Sequence, residues 1–347
     1  MNRMLQRQKR GNVRRLSIVD GQIDFASNDT LGLARSKRLK KDCEKEWGAL
    51  KGLGATGSRL LTGNSRFAET LEDEIAQFHG FESALLFGCG YMANVGLFSS
   101  LDEEILFDVL SHASIYDGIK LGSAKALPFR HHDLAHLEKR LKGCKGAFIA
   151  VESITSTDGS IAPLKEIVAL AKEYEAHVIV DEAHAVGLYG RNGRGLVDEL
   201  GLTNDVFALV VTFGKALGTY GAAVLGSHAF KERLINWARS CIYTTALPYY
   251  CLAFIKMSYR LLPELDSERD HVKQLIKRFQ GASASHIQPI KCPGNDAVKQ
   301  KACDLLREGF DVRPLTSPTV QRGEELLRIC LHSFNTFQEV ESLKRCL

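Results

Sequence analysis

Two apolar runs about thirty residues apart end in side chains able to do covalent chemistry on a carbonyl compound. Val178-Ile179-Val180 leads into Asp181-Glu182-Ala183-His184, and Ala208-Leu209-Val210-Val211 leads into Thr212-Phe213-Gly214-Lys215. Short β-branched runs of this kind read as buried parallel strands, and open α/β sheets bind ligands at the carboxyl ends of such strands. A carboxylate, an imidazole, a hydroxyl and an amine delivered there are the equipment for holding an aldehyde cofactor as a Schiff base. Lys215 lies among glycines, where backbone can approach a ligand closely, and desolvation would favour its neutral, nucleophilic form. A buried Asp181 needs a cationic partner. A protonated pyridine nitrogen at ~3 Å and an effective dielectric of about 20 would supply roughly 5 kcal/mol before desolvation is subtracted. His184 could hydrogen-bond the phenolic oxygen of such a ring, and His112, in Ser111-His112-Ala113-Ser114, could stack on its face.

Other motifs compete with this reading. Gly52-Leu53-Gly54-Ala55-Thr56-Gly57 has the letters of a dinucleotide fingerprint, but a charged helix rather than a strand precedes it. Gly88-Cys89-Gly90-Tyr91-Met92-Ala93 does follow a strand-like run and opens an apolar helix, so its backbone N–H groups suit a phosphate. Asp108, about twenty residues on, stands where a ribose-binding acid would. A nicotinamide-dependent dehydrogenase is therefore an alternative. Asp181-Glu182-Ala183-His184 also resembles the metal-binding box of a helicase, but the required phosphate loop is missing, because Leu209 and Ala216 replace its first glycine and its hydroxyl. His131-His132-Asp133 looks like a metal site but reads as a solvated turn, since no further ligands are expected to cluster nearby, and no metal is expected.

The elements that must position these residues alternate. Strand-like runs at 84–87, 105–108, 147–151, 178–180, 209–212 and 222–225 are separated mostly by helical segments, the pattern of a mostly parallel sheet covered by helices. Residues 36–51 and 67–79 read as helices. Beyond residue 236 a long helical region ends near 277, and a smaller α+β unit carries strand-like runs at 287–290, 312–314 and 327–331. The expected division is an N-terminal segment (1–35), a large domain (36–236) and a C-terminal small domain (237–347).

With 25% charged and 45% hydrophobic residues and a formal net charge of +4 over 347 residues, the composition is globular and gives no ground for nucleic-acid binding. No apolar run is long enough to cross a membrane. The nine cysteines lack close pairs or metal-ligand spacing and fit reduced thiols in the cytoplasm. Arg3, Arg7, Lys9, Arg10, Arg14 and Arg15 make the N-terminus basic. They read as a solvated arm or, alternatively, one arginine folds over the site to meet a substrate carboxylate.

Taken in order, Phe25-Ala26-Ser27-Asn28-Asp29, Gly57-Ser58-Arg59-Leu60-Leu61-Thr62-Gly63, Gly90-Tyr91-Met92-Ala93-Asn94, Ser111-His112-Ala113-Ser114, the Asp181 box with Gly193-Arg194-Gly195, Thr212-Phe213-Gly214-Lys215 and Tyr243-Thr244-Thr245-Ala246-Leu247-Pro248 resemble the α-oxoamine synthase family of fold-type I pyridoxal-phosphate enzymes. The resemblance covers nearly the whole chain, and its 58–63 and 244–248 segments look most like the branch that condenses L-alanine with a pimeloyl thioester. It implies an α/β fold with a mostly parallel sheet in the large domain, pyridoxal 5'-phosphate as cofactor, Lys215 as the Schiff-base lysine and His112 as the stacking partner. It further implies Asp181 at the pyridine nitrogen and His184 with Ser156 at the phenolic oxygen. Gly90, Tyr91 and Thr212 would anchor the cofactor, with Thr245 reaching the phosphate of a second subunit in a homodimer. Asn28 and Thr319 would bind substrate, and the acyl donor would be a coenzyme A or acyl-carrier-protein thioester. A glycine-using acyltransferase of the same family, or a silent relative kept as a binding module, are alternatives. The chain departs from the family at Thr316, where an arginine is usual and for which Arg313 would compensate, and at Ala68, where a histidine is usual.

Overall fold

Aliphatic side chains on both faces of a strand are stable only when helices cover both faces, and the 178–180 run meets that condition: Val178, Ile179 and Val180 are all buried. Each such side chain contributes roughly 1.5–3 kcal/mol of burial. The computed structural model describes residues 2–9, 11–14, 16–48 and 52–347. Arg10 and Arg15 of the basic arm, and the 49–51 end of the first expected helix, lie outside them.

The strands are β1 (Ile23–Asp24), β2 (Ser83–Phe87), β3 (Ile105–Asp108), β4 (Ala126–Phe129), β5 (Phe148–Glu152), β6 (His177–Asp181), β7 (Ala208–Thr212), β8 (Ala222–Gly226), β9 (Ile287–Lys291), β10 (Phe310–Asp311), β11 (Arg313–Leu315) and β12 (Leu326–Cys330). The chain forms two compact units, 31–155 with 162–266, and 1–30 with 156–161 and 267–347.

The larger unit holds a seven-stranded sheet in the order β2-β8-β7-β6-β5-β3-β4. All pairings are parallel except those of β8, which is antiparallel to both β2 and β7. β4 carries a weak signal because it is an edge strand with two exposed positions and a proline. The core of this unit gathers Phe87, Leu97, Phe98, Ile105, Phe107, Ile179, Val210 and Val224. The unit runs to residue 266 rather than 236, because the helix Tyr249–Leu261 buries eight residues and packs on the helices Lys37–Gly48 and Arg66–His79. Residues 31–35 belong to this unit as well.

The smaller unit contains the antiparallel sheet β11-β12-β9 and the parallel pair β1-β10. Phe25, Leu275, Val298, Leu305, Leu327, Ile329 and Leu343 fill its core. A chain-initial strand thus pairs with one near residue 310, a long-range contact that no local pattern announces. The long helical region is broken at Leu262–Glu264, where a proline stands in the first turn of a 3-10 segment.

Candidate active site

In the larger unit, parallel pairing places the carboxyl ends of β3, β5, β6 and β7 along one edge of the sheet. Asp181 ends β6 and Thr212 ends β7. Lys215 follows in a loop closed by Thr219 N–H donating to the Phe213 carbonyl at 2.8 Å and by Phe213 N–H donating to Gly221 at 2.9 Å. Gly218 has φ +67°, and a Cβ there would lie 2.2 Å from the Ala34 nitrogen, so only glycine permits this turn.

Asp181 is 7% exposed. Its Oδ1 accepts from Ala183 N–H at 2.9 Å and its Oδ2 from Asn94 Nδ2 at 2.8 Å. Each oxygen keeps lone-pair capacity for a further donor. His184 follows in a buried turn. The neighbouring Glu182 holds the backbone instead. Its oxygens accept from Leu196 N–H at 2.8 Å and Val197 N–H at 3.1 Å, and burial pushes its carboxyl up to about 8.

His112 caps the helix Ala113–Leu121. Its Nδ1 lies 2.7 Å from Ser114 Oγ and accepts from Ser114 N–H at 3.3 Å. Burial lowers the imidazole's pKa; Asp181 and Asp117 pull it back up while the Lys215 charge pushes it further down. These couplings place His112 in the same electrostatic neighbourhood as Asp181 and Lys215.

The helix Gly90–Ser99 begins directly after β2, and the side chain of its cap residue, Cys89, makes no capping hydrogen bond. The N–H groups of Gly90 and Tyr91 point out of the helix start, where the helix dipole favours an anion. A Cβ on Gly90 would meet Thr212 Cγ2 at 2.6 Å, so the glycine lets this helix end close against the end of β7. Thr212 Oγ1 donates to the Ala183 carbonyl at 3.5 Å. Thr245 is exposed and forms an isolated antiparallel bridge with Ser58. The donor set fits a flat cationic ring carrying an aldehyde and a phosphate: an amine, a carboxylate with spare lone pairs, an imidazole and an anion-binding helix start cleared by a glycine.

The dinucleotide alternative fails on topology. β2 is an edge strand paired only with the antiparallel β8, whereas that fingerprint needs a strand inside a parallel sheet. Asp108 is also engaged locally. Its Oδ1 accepts from His131 Nδ1 at 2.9 Å and Leu110 N–H at 2.8 Å, and its Oδ2 from His132 N–H at 2.9 Å. The expectation that nothing clusters with His131 and His132 is corrected here: the parallel pairing of β3 with β4 brings Asp108 to them across more than twenty residues. The histidine rings stack at 3.7 Å, and the turn is held by the carboxylate rather than simply solvated.

Asn28, Ser156 and Thr319 belong to the smaller unit. There Arg328 of β12 donates to Asn28 Oδ1 at 2.9 Å, to the Ser156 carbonyl at 2.7 Å and to Cys330 Sγ at 3.0 Å. Among the described residues this guanidinium has three neutral acceptors and no carboxylate in its contacts. Sequence reasoning missed it, although a lone arginine inside the apolar run Leu326–Cys330 was the available signal. It also assigned no role to Asn94 and Ser114, polar residues buried in otherwise apolar helix turns. Arg313, expected to compensate for Thr316, is paired with Asp311 at 2.8 Å. Of the basic arm, Arg14 donates to Thr319 Oγ1 at 3.3 Å.

Residues 20–343 match the model of the aminotransferase class I and II family. A curated relative from Emericella nidulans, 8-amino-7-oxononanoate synthase, is 38% identical over 369 residues, covering 95% of this chain and 90% of its own. Among solved structures, Sphingomonas wittichii serine palmitoyltransferase superposes with a TM-score of 0.90 at 29% identity, covering 99% of this chain and 94% of that one. SPT solved with its PLP internal aldimine gives 0.89 at 28% identity, covering 99% and 95%.

Proposed function

We infer the reaction from one premise: the chain belongs to the aminotransferase class I and II family. Its cofactor is pyridoxal 5'-phosphate, and its activity is that of an 8-amino-7-oxononanoate synthase, an acyltransferase of biotin biosynthesis. It joins L-alanine to a pimeloyl thioester of coenzyme A or an acyl-carrier protein, with loss of the thiol and of carbon dioxide. What supports the substrate reading is the 38% identity across nearly the whole chain to a relative of that name. What supports the cofactor reading is the set of Lys215, Asp181 and His112 in one electrostatic neighbourhood.

Lys215 would take the cofactor aldehyde and Asp181 the ring nitrogen, with His112 against the ring face. His184 and Ser156 would serve the phenolic oxygen. The N–H groups of Gly90 and Tyr91, the Thr212 hydroxyl and Thr245 of a second subunit would hold the phosphate. The bound cofactor supplies an electron sink for charge developing at the amino acid Cα. The chain's own work is to move the Cα proton with the Lys215 amine, to hold the ring nitrogen's proton with Asp181 and to orient the substrate. Arg328, with Asn28 beside it, would hold the amino acid carboxylate, and a guanidinium's planar fork suits that group. Thr319 would meet the acyl donor. A homodimer goes with the role given to Thr245 of a second subunit, and Thr245 is exposed. No described helix is long and apolar enough to cross a membrane, and nine free thiols suit a cytoplasmic enzyme.

The experiment is product identification by mass spectrometry. Cofactor-loaded protein is given pimeloyl-CoA or pimeloyl-carrier protein with L-alanine, glycine or L-serine, beside Lys215→Ala. Alanine is expected to give the amino ketone and the lysine variant none. A strong preference for glycine would replace this reading with that of a glycine-using acyltransferase.

A further inference from the structure

We propose that Asn94 and Ser114 are positioning residues that lock His112 in its neutral Nε2–H tautomer and tie it to Asp181 through one hydrogen-bonded chain. The proposal rests on the pyridoxal-phosphate reading above and adds to it two residues that act through His112 and Asp181.

The proton positions follow from counting donors. Asn94 is 2% exposed, and its Nδ2 lies 2.8 Å from Asp181 Oδ2 and 3.0 Å from Ser114 Oγ. The reverse orientation of this amide would set its oxygen against a carboxylate oxygen, so the nitrogen faces Asp181. An amide nitrogen carries two hydrogens, and both are used here. The Ser114 hydroxyl accepts one of them, which leaves its own hydrogen to give to His112 Nδ1, at 2.7 Å. The Ser114 backbone N–H points at the same nitrogen from 3.3 Å. Two donors converge on Nδ1, which therefore carries a lone pair, and the ring proton is on Nε2. Protonating Nδ1 would turn an N–H against an N–H inside a buried helix start.

The charged groups that face His112 are Asp181, Lys215 and Asp117; burial and Lys215 oppose its protonation, and the two carboxylates favour it. The Ser114 hydroxyl adds a hydrogen bond made only to the neutral ring. A neutral imidazole can lie on a cationic pyridine ring without charge repulsion. By holding Asp181 Oδ2 with the same amide, Asn94 sets the orientation of the carboxylate and the imidazole together.

The test compares wild type, Ser114→Ala, His112→Phe and the double variant as holoenzymes, titrating pyridoxal phosphate by absorbance from pH 5.5 to 8.5. For Ser114→Ala, the ratio of its dissociation constant to that of wild type is expected to stay within about twofold at pH 8.5. It should rise about tenfold towards pH 5.5, because losing a donor to the neutral ring eases its protonation. Taking the ratio cancels titrations common to both proteins. In the His112→Phe background, where the stacked ring cannot titrate, the pH dependence of the Ser114→Ala effect should vanish. A pH-independent ratio, or a slope that survives in that background, would overturn the proposal. Nitrogen-15 shifts of labelled histidine in the wild-type holoenzyme decide the tautomer even if Ser114→Ala fails to fold, and a proton on Nδ1 would refute it. Wild type that binds no pyridoxal phosphate would remove the functional reading instead, and nitrogen-15 shifts of that cofactor-free protein would still report the ring's tautomer.

Discussion

Asp108 and Asp181 end parallel strands of the same sheet, on the same edge, each followed within a few residues by a histidine. Their fates differ. The Asp108 carboxylate accepts three hydrogens, from His131, Leu110 and His132, whereas Asp181 accepts two, one on each oxygen. A carboxylate at a strand end becomes a site only if the surrounding backbone leaves part of it unsatisfied. The first is a clamp on a turn, and the second retains capacity for a ligand.

Exchanging each carboxylate for its amide separates the two roles. Asp181→Asn should lower kcat about 10³-fold, the scale of a lost electrostatic contact to a reacting group, while the melting temperature stays close to wild type; product formation and thermal unfolding measure the two. An equal fall in stability would make Asp181 a second clamp. Arg328→Lys probes the same distinction for a cation. Its three neutral contacts leave it charge to offer a substrate, so KM for the amino acid should rise roughly 10²-fold with cofactor affinity unchanged, as steady-state kinetics and cofactor titration would show.

Asp108→Asn should leave turnover near wild type and cost about 1–3 kcal/mol of stability, from an amide nitrogen facing donors that the carboxylate satisfied. Burial raises the Asp108 pKa, but the hydrogen bonds from His131, Leu110 and His132 outweigh it, and the group lies below the usual carboxylate range. A depressed pKa stabilises the fold above the unfolded value of about 4, and that stability is lost as pH falls through the folded value. Wild type should therefore lose stability below about pH 4 more steeply than Asp108→Asn in denaturant titrations. The smallest effect is expected at Gly90→Ala, whose Cβ would crowd Thr212. Cofactor affinity should fall about tenfold with little change in KM, read by absorbance titration.

Much of the larger unit was legible because its strands are buried on both faces and so carry continuous aliphatic runs. Lys215, Asp181 and His112 could be put forward from sequence because polar residues follow such runs where parallel sheets bind ligands. The Asp108 cluster was not, since its partners meet only through the β3–β4 pairing. The partner of Arg313 was hidden for a related reason: its distance from Thr316 in sequence said nothing of Asp311, which holds it.

The sequence by itself determined the alternation of strands and helices, the order of the chemical groups along it and the family to which they point, because periodicity and residue type are local properties. Only the tertiary structure decided which carboxylates were spent, that Arg328 meets Asn28 and that Asn94 stands between His112 and Asp181. Hydrogen-bond satisfaction depends on distance and direction between groups far apart in the chain, and those exist only once the sheet has set its register.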